Sequence, residues 1–98
     1  MSDYGNSLRR HRRIAILRHL EASVEYTSNA AILQDVLAGV GLPSTRDQVI
    51  TEIGWLAEQG FAKVYGDGFL VVAATLRGAE IARGVATHPE IQRPSAKG

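Results

Sequence analysis

Four arginines lie within five residues near the amino terminus and form the densest group of charged side chains in the 98-residue chain. This arginine cluster consists of Arg9, Arg10, Arg12 and Arg13. Guanidinium groups pair with phosphates and carboxylates. The total charge of +1 hides a segregation: residues 1–20 hold a net of +4, and residues 21–60 a net of −5. A polyanion would therefore meet the ends of the chain and not its middle.

The cluster falls on a predicted first helix, which Asn6 or Ser7 can cap and which runs to about Ala22. Its predicted buried stripe is Ile14, Leu17 and Leu20. The arginines would then lie in the early turns, where the helix dipole disfavours cations. Two interpretations stay open: a solvated basic face that aids solubility, or a contact with phosphate or an acidic protein.

A second set of polar residues lies on the predicted third helix, which begins at Ser44 and stops at Gly60. Asp47 would complete an acidic variant of the capping box. Helical spacing puts one apolar face inward: Val49, Ile50, Ile53, Leu56 and Ala57. The opposite face is polar: Asp47, Gln48, Thr51, Trp55 and Glu58, with Glu52 and Gln59 on its flank. Trp55 either packs at the edge of the core, over the following strands, or anchors another protein.

Other kinds of chemistry find no support in the residues. The chain has no cysteine, and its three histidines have no partner at metal-ligand spacing, so no metal and no cofactor is predicted. No nucleophile–base pair and no phosphate-binding glycine loop is found, so an enzyme is not expected. Without a signal-like or membrane-spanning apolar stretch, the predicted location is the cytoplasm.

The remaining elements are predicted from caps, breakers and periodicity. Asn29 caps a second helix, Ala30 to about Val40, which Gly41 ends. Its predicted core face is Ile32, Leu33, Val36, Leu37 and Val40. Two strands, 61–65 and 69–73, flank the turn Gly66-Asp67-Gly68. Thr75 caps a fourth helix over 76–83, and residues 85–98 form an extended or flexible tail. The sequence thus predicts a mainly α domain over residues 1–84 with a small β-hairpin.

This order of elements, α-α-α-β-β-α, resembles the winged helix-turn-helix layout. "VITEIGWLAEQGFAKV", a hairpin and "ATLRGAEIARG" look like the recognition helix, wing and closing helix of ArsR, MarR and DeoR-like regulators. Together with "LRRHRRIAILRHLEA", the chain is similar to small ArsR-like proteins of Mu-like prophages. The resemblance, over about residues 8 to 84, implies base contacts from Arg46, Gln48, Thr51 and Trp55, and a wing contact from Lys63.

Two functions follow as hypotheses. The first is a regulator that binds double-stranded DNA, a homodimer in which the arginine cluster and Lys63 position the DNA backbone. The acidic third helix, with a net charge of −2, and Asp67 at the wing tip weigh against it. The second is a protein-contact module, for example in phage assembly or packaging, that uses the acidic face and Trp55. Ile16 and Ile81 would either form a dimer seam or complete the monomer core.

Overall fold

The computed structural model describes residues 3–67 and 71–94, and within them the chain is mainly helical. Four helices are present in this part: α1 Asp3–Glu21, α2 Ala30–Gly39, α3 Arg46–Glu58 and α4 Leu76–Arg83. Three short strands accompany them: β1 Thr27–Asn29, β2 Ala62–Tyr65 and β3 Val71–Ala74. A mainly α domain with a small β-hairpin was predicted, and that level of the prediction is confirmed. No helix in the described ranges is long and apolar enough to cross a membrane.

The sheet is antiparallel in the order β1-β3-β2, so it has one strand more than the predicted hairpin. Val72 in the central strand lies opposite Ser28 on one side and Val64 on the other. The sequence does not predict a strand at Thr27–Asn29, where the residues are polar and Asn29 is predicted to cap α2. This segment becomes a strand because it pairs with β3, whose position is set more than forty residues away in the sequence. The predicted start of the second hairpin strand, Phe69, lies outside the described residues.

A strained turn leads into β1. Glu25 and Tyr26 have φ of 54° and 58°, the left-handed region that residues other than glycine rarely adopt. Arg83 of α4 holds this turn, with its Nε 3.1 Å from the Glu21 carboxylate and its Nη2 hydrogen-bonded to the Tyr26 hydroxyl. The hydrogen bond to Glu21 raises the pKa of Arg83, and the Tyr26 oxygen adds to this effect. The turn is thus tied to the carboxyl end of α4.

Helix α1 begins earlier than predicted. It already includes Asp3, an acidic residue that favours the positive end of the helix dipole, so Asn6 and Ser7 lie inside the helix and cap nothing. The arginine cluster therefore starts near the end of the second turn. Because the dipole acts mainly within the first turn, the predicted cost of placing cations there does not apply.

Helix α3 begins after Thr45, not at Ser44 as predicted. The Thr45 hydroxyl accepts a hydrogen bond from the Gln48 backbone N–H at 3.1 Å, and the Gln48 side-chain oxygen accepts one from the Thr45 N–H at 2.9 Å. Gln48, and not Asp47, therefore completes the capping box. Ser44 has other partners, since its hydroxyl donates to the Leu42 carbonyl and accepts from Arg12.

The core forms where α1, α2, α3 and the sheet meet. Its fully buried large apolar residues are Ile16, Leu17, Leu20, Leu33, Leu37, Val49, Ile53, Leu56 and Val72. The predicted inward face of α3 is confirmed at Val49, Ile53 and Leu56, while Ile50 is partly buried. Ile16 and Ile81 are buried within the single chain, so they complete the monomer core and cannot form a dimer seam.

The prediction for α2 is wrong in part. Leu33 and Leu37 are buried as expected, but Ile32 and Val40 are 45% and 59% exposed. The α2 core face is narrower than the sequence pattern because α1 and α3 cover one side of this helix. A second apolar stripe is left on the surface.

The chain beyond α4 returns to the body of the protein. Gly84, in the left-handed conformation, ends α4 as predicted. Residues 85–94, the C-terminal segment, contain no helix or strand, yet Ile91 is buried in the core. The Gln92 N–H donates to the Arg10 carbonyl at 3.2 Å. This part of the expected tail is therefore packed against α1.

Candidate functional site

Glu52 of α3 lies at the centre of a buried ion cluster. The residue is 1% exposed, although the sequence placed it on the flank of a polar face. Its Oε2 is 2.8 Å from Arg9 Nε and its Oε1 is 2.7 Å from Arg13 Nε. Arg12 Nη1 is 4.0 Å from Oε2. Three residues of the arginine cluster therefore converge on one carboxylate.

This arrangement settles where the arginine cluster lies. Because α1 supplies the guanidinium groups and α3 supplies the carboxylate, the cluster and the third helix share a face of the molecule. Three cations meet the buried Glu52 carboxylate and the exposed Glu90 carboxylate, which lies 3.7 Å from Arg13, so the group keeps a net charge of +1. The Arg9 side chain is 42% exposed, and so part of this charge is available to a ligand.

Arg12 extends the positive region to the amino end of α3. Its Nε donates to the Ser44 hydroxyl at 3.1 Å, one residue before the Thr45 cap. The amino end of a helix carries partial positive charge from its unpaired N–H groups. Arg46, in the first turn, is exposed beside it. Positive charge therefore borders the first turn of α3.

Arg13 and Trp55 have structural surroundings. The Arg13 guanidinium lies 3.8 Å from the centre of the Trp55 ring and donates to the Glu90 carbonyl at 2.8 Å. His88 meets the same ring edge-on at 5.4 Å between centroids. Trp55 is thus half-buried at the edge of the core, where Arg13 and His88 of the C-terminal segment lie against its ring. Its ring joins α1, α3 and that segment.

The α3 polar face, as the structure has it, is the set of exposed residues along this helix. These residues are Arg46, Asp47, Gln48, Thr51, Gly54 and Glu58. Burial of Glu52 leaves them a net charge of −1, less acidic than the −2 predicted for the whole helix. The Gln48 side-chain oxygen is held in the capping box, which restricts how this side chain can meet a ligand. Thr51 is exposed.

The hairpin, whose strand β2 packs against α3, carries one cationic residue. Lys63 on β2 is exposed. Gly66 has φ of +81° in the turn, and Asp67 after it is exposed. Gly68, the last residue of the predicted turn, lies outside the described residues. Arg10, the fourth residue of the cluster, is half-buried beneath the C-terminal segment.

Gly54 lies in the middle of the α3 polar face, where no close contact requires a glycine. A Cβ atom added there would meet no other atom within 4 Å. Glycine in a helix interior costs about 1 kcal/mol relative to alanine. We therefore expect Gly54→Ala to raise the free energy of unfolding by about 1 kcal/mol, measured by urea denaturation. An unchanged or lower stability would contradict the open geometry at this position.

Metal chemistry finds no geometric support in the described residues. No group of three or more histidine, cysteine, aspartate or glutamate side chains among them could hold a metal ion. His11 and His19 bond to the Ser7 carbonyl and the Ser28 hydroxyl, and His88 packs on Trp55 and Phe61.

Comparison with known proteins gives one relative. No protein-family model matches the chain, and no solved structure matches it. The chain is 42% identical over 84 residues to the uncharacterized protein gp26 of Escherichia phage Mu, covering 85% of this chain and 86% of that protein. The predicted similarity to a Mu-like phage protein is confirmed at this level. The chain belongs to the same family as phage Mu gp26.

Proposed function

We propose that the chain is a winged helix-turn-helix protein that binds double-stranded DNA and regulates transcription in a phage. The order α1-β1-α2-α3-β2-β3-α4 supplies the parts: α2 and α3 form the helix-turn-helix, and β2 and β3 form the wing. The turn between α2 and α3 contains Gly41, with φ of +83°, and Pro43. The α3 polar face would enter the major groove.

The observation that carries this proposal is the pairing of Glu52 with the arginine cluster. Affinity for DNA comes largely from cations that neutralise phosphates. The net negative charge of the third helix is the main argument against DNA binding. Glu52 contributes part of that charge, but its side chain is buried and paired with arginines. The same contacts bring Arg9 and Arg12 to the edge of α3, where phosphates flanking a major groove would pass.

The residues then take different roles. Arg46 and Thr51 would contact base edges, and Gln48 would do so through its amide nitrogen. The phosphate contacts would come from Arg9, Arg10, Arg12 and Lys63. Arg13 and Trp55 would hold α1, α3 and the C-terminal segment in place, since the Arg13 side chain is buried. Use of Trp55 as an anchor for a protein partner would require its ring to leave Arg13 and His88, which weighs against the form of protein docking that depends on Trp55.

The test is binding to a mixed-sequence duplex across a salt series, followed by fluorescence anisotropy. We expect binding at low salt that weakens steeply as salt rises. Arg9→Gln and Lys63→Gln should each weaken binding several-fold and lower the salt slope by about 1. Lys63 is exposed and lies outside the ion cluster, so Lys63→Gln should leave the fold unaffected. Arg9→Gln also removes a contact with Glu52, and circular dichroism should show that this variant is folded.

Arg18→Gln is the matched control. Arg18 is also an exposed arginine of α1, but it lies about 180° around the helix from Arg9. Its loss should leave duplex affinity unchanged when both variants are measured at protein concentrations that give the same oligomeric state by sedimentation. No binding at low salt, or equal weakening by Arg18→Gln and Arg9→Gln, would show that this surface does not bind DNA.

A further inference from the structure

The second apolar stripe of α2 has no partner within the described chain. Ile32, Val36 and Val40 follow one another at helical spacing, and the first and last of them are largely exposed. Leu33 and Leu37 fill the core on the other side, so α2 is apolar over most of its circumference. A helix with this pattern is normally covered on all its apolar sides.

Val36 and Val40 of this stripe line an open groove between α1 and α2. The groove has a volume of about 520 Å³, and Ile14, Ala15, Val36, Val40 and Leu42 supply its apolar lining. Exposed apolar residues that adjoin one another, as in this groove, are often a site of protein contact. The charges at its edges indicate which protein.

The surface that contains the groove, here called the groove face, carries opposite charges on its α1 edge and its α2 edge. On the α1 edge stand His11, Arg18 and His19. On the α2 edge stands Asp35, which is exposed and lies about 100° around the helix from Val36, beyond the apolar stripe. The face therefore has a basic edge, an apolar centre and an acidic edge.

A face with this pattern is complementary to itself. Rotation by 180° about an axis that lies in the interface, parallel to the two edges, places the basic edge of one copy on the acidic edge of the other, and apolar centre on apolar centre. An acidic amphipathic helix would suit Arg18 but would bring like charge to Asp35. A basic amphipathic helix would suit Asp35 but would bring like charge to Arg18.

We propose that a second copy of this chain covers the groove and forms a twofold dimer. Val36 and Val40 would pack near the axis, and Arg18 of each copy would face Asp35 of the other. The inference does not depend on DNA binding, because Arg9 and Arg18 lie on opposite sides of α1. A monomer that bound DNA, or a dimer that did not, would separate the two proposals.

Sedimentation equilibrium of the full chain over a range of protein concentrations tests the dimer. The wild type should self-associate, and Val40→Asp should weaken the dimer by about tenfold or more. Arg18→Asp and Asp35→Arg should each weaken it by a similar factor, because each places like charges across the twofold axis. The double variant R18D/D35R should restore the affinity to within about threefold, which a structural defect would not do.

Val24→Asp is the matched control, since Val24 is an 86% exposed valine on the turn before β1 and does not line the groove. It should leave self-association unchanged, and circular dichroism should show every variant folded. A wild type that stays monomeric at the highest concentration would overturn the proposal and leave the groove to a different protein. Self-association that is insensitive to Val40→Asp, or that the charge swap does not restore, would overturn it as well.

Discussion

Replacing Glu52 with glutamine is expected to lower the free energy of unfolding by about 3 kcal/mol, the largest loss we expect from an isosteric change in this protein. The substitution keeps the shape of the side chain and removes its charge. Arg13 would then be a buried cation whose remaining acidic neighbour is Glu90, with its carboxylate oxygen 3.7 Å away and largely exposed to water. Three guanidinium groups would also repel one another without the central anion. Urea denaturation measures the loss.

Two further variants separate the charge effect from other causes. Glu58→Gln removes an exposed carboxylate from the same helix and should change stability by no more than about 0.5 kcal/mol. The double variant Arg13→Met with Glu52→Leu replaces the buried pair with apolar side chains and should recover most of the lost stability, as buried ion pairs often allow. If Glu52→Gln were as mild as Glu58→Gln, the ion cluster would not hold α1 to α3.

The elements that the sequence predicts well are those determined by neighbouring residues. Asn29 accepts from the Ile32 N–H and Thr75 accepts from the Gly78 N–H, each as a predicted helix cap. A cap needs one polar side chain within three residues of the N–H groups that it satisfies. The inward face of α3 was predicted for the same reason, because apolar spacing on one helix needs no knowledge of the partner helix.

The buried ion cluster could not be predicted in this way, because Arg13 and Glu52 are 39 residues apart. Their contact depends on how α1 crosses α3. One signal was present: Arg13, Leu17 and Leu20 are spaced as one helical stripe, which places Arg13 with the buried residues. A buried arginine requires an acidic partner, and Glu52 borders the core face of α3. Arg13 therefore differs from the solvated or ligand-binding role that the charge pattern predicts for the four arginines as a group.

Strand β1 and the C-terminal segment escaped prediction for a related reason. Thr27, Ser28 and Asn29 have no alternation of apolar and polar residues, and their strand exists because β3 offers hydrogen bonds. After α4, Ile91 is a single large apolar residue between two prolines, too little for a periodic pattern. Its burial against the core, and the contacts of His88 and Glu90 beside it, follow from the direction in which Gly84 turns the chain.

Gly78→Ala is expected to lower the free energy of unfolding by about 3 kcal/mol, at the upper end of the usual cost of overfilling a packed site. Gly78 is buried in α4, and a Cβ atom there would collide with the Phe61 carbonyl oxygen and lie 3.2 Å from Leu17 Cδ2. The carbonyl is backbone and cannot rotate away as a side chain could. It also accepts the Thr75 N–H at 3.1 Å, so the collision opposes the contact that joins the start of α4 to the start of the hairpin.

The same substitution at Gly54 provides the control, because both glycines are helical and only one has space for a methyl group. In thermal and urea unfolding, Gly54→Ala should raise the free energy of unfolding, and Gly78→Ala should lower it by a larger amount. Gly78→Ala should also weaken duplex binding in the folded fraction, since the displaced Phe61 precedes β2 and sets where Lys63 lies relative to α3. A stable Gly78→Ala variant would mean that α4 can move away from Phe61, and the hairpin would then not be fixed by this contact.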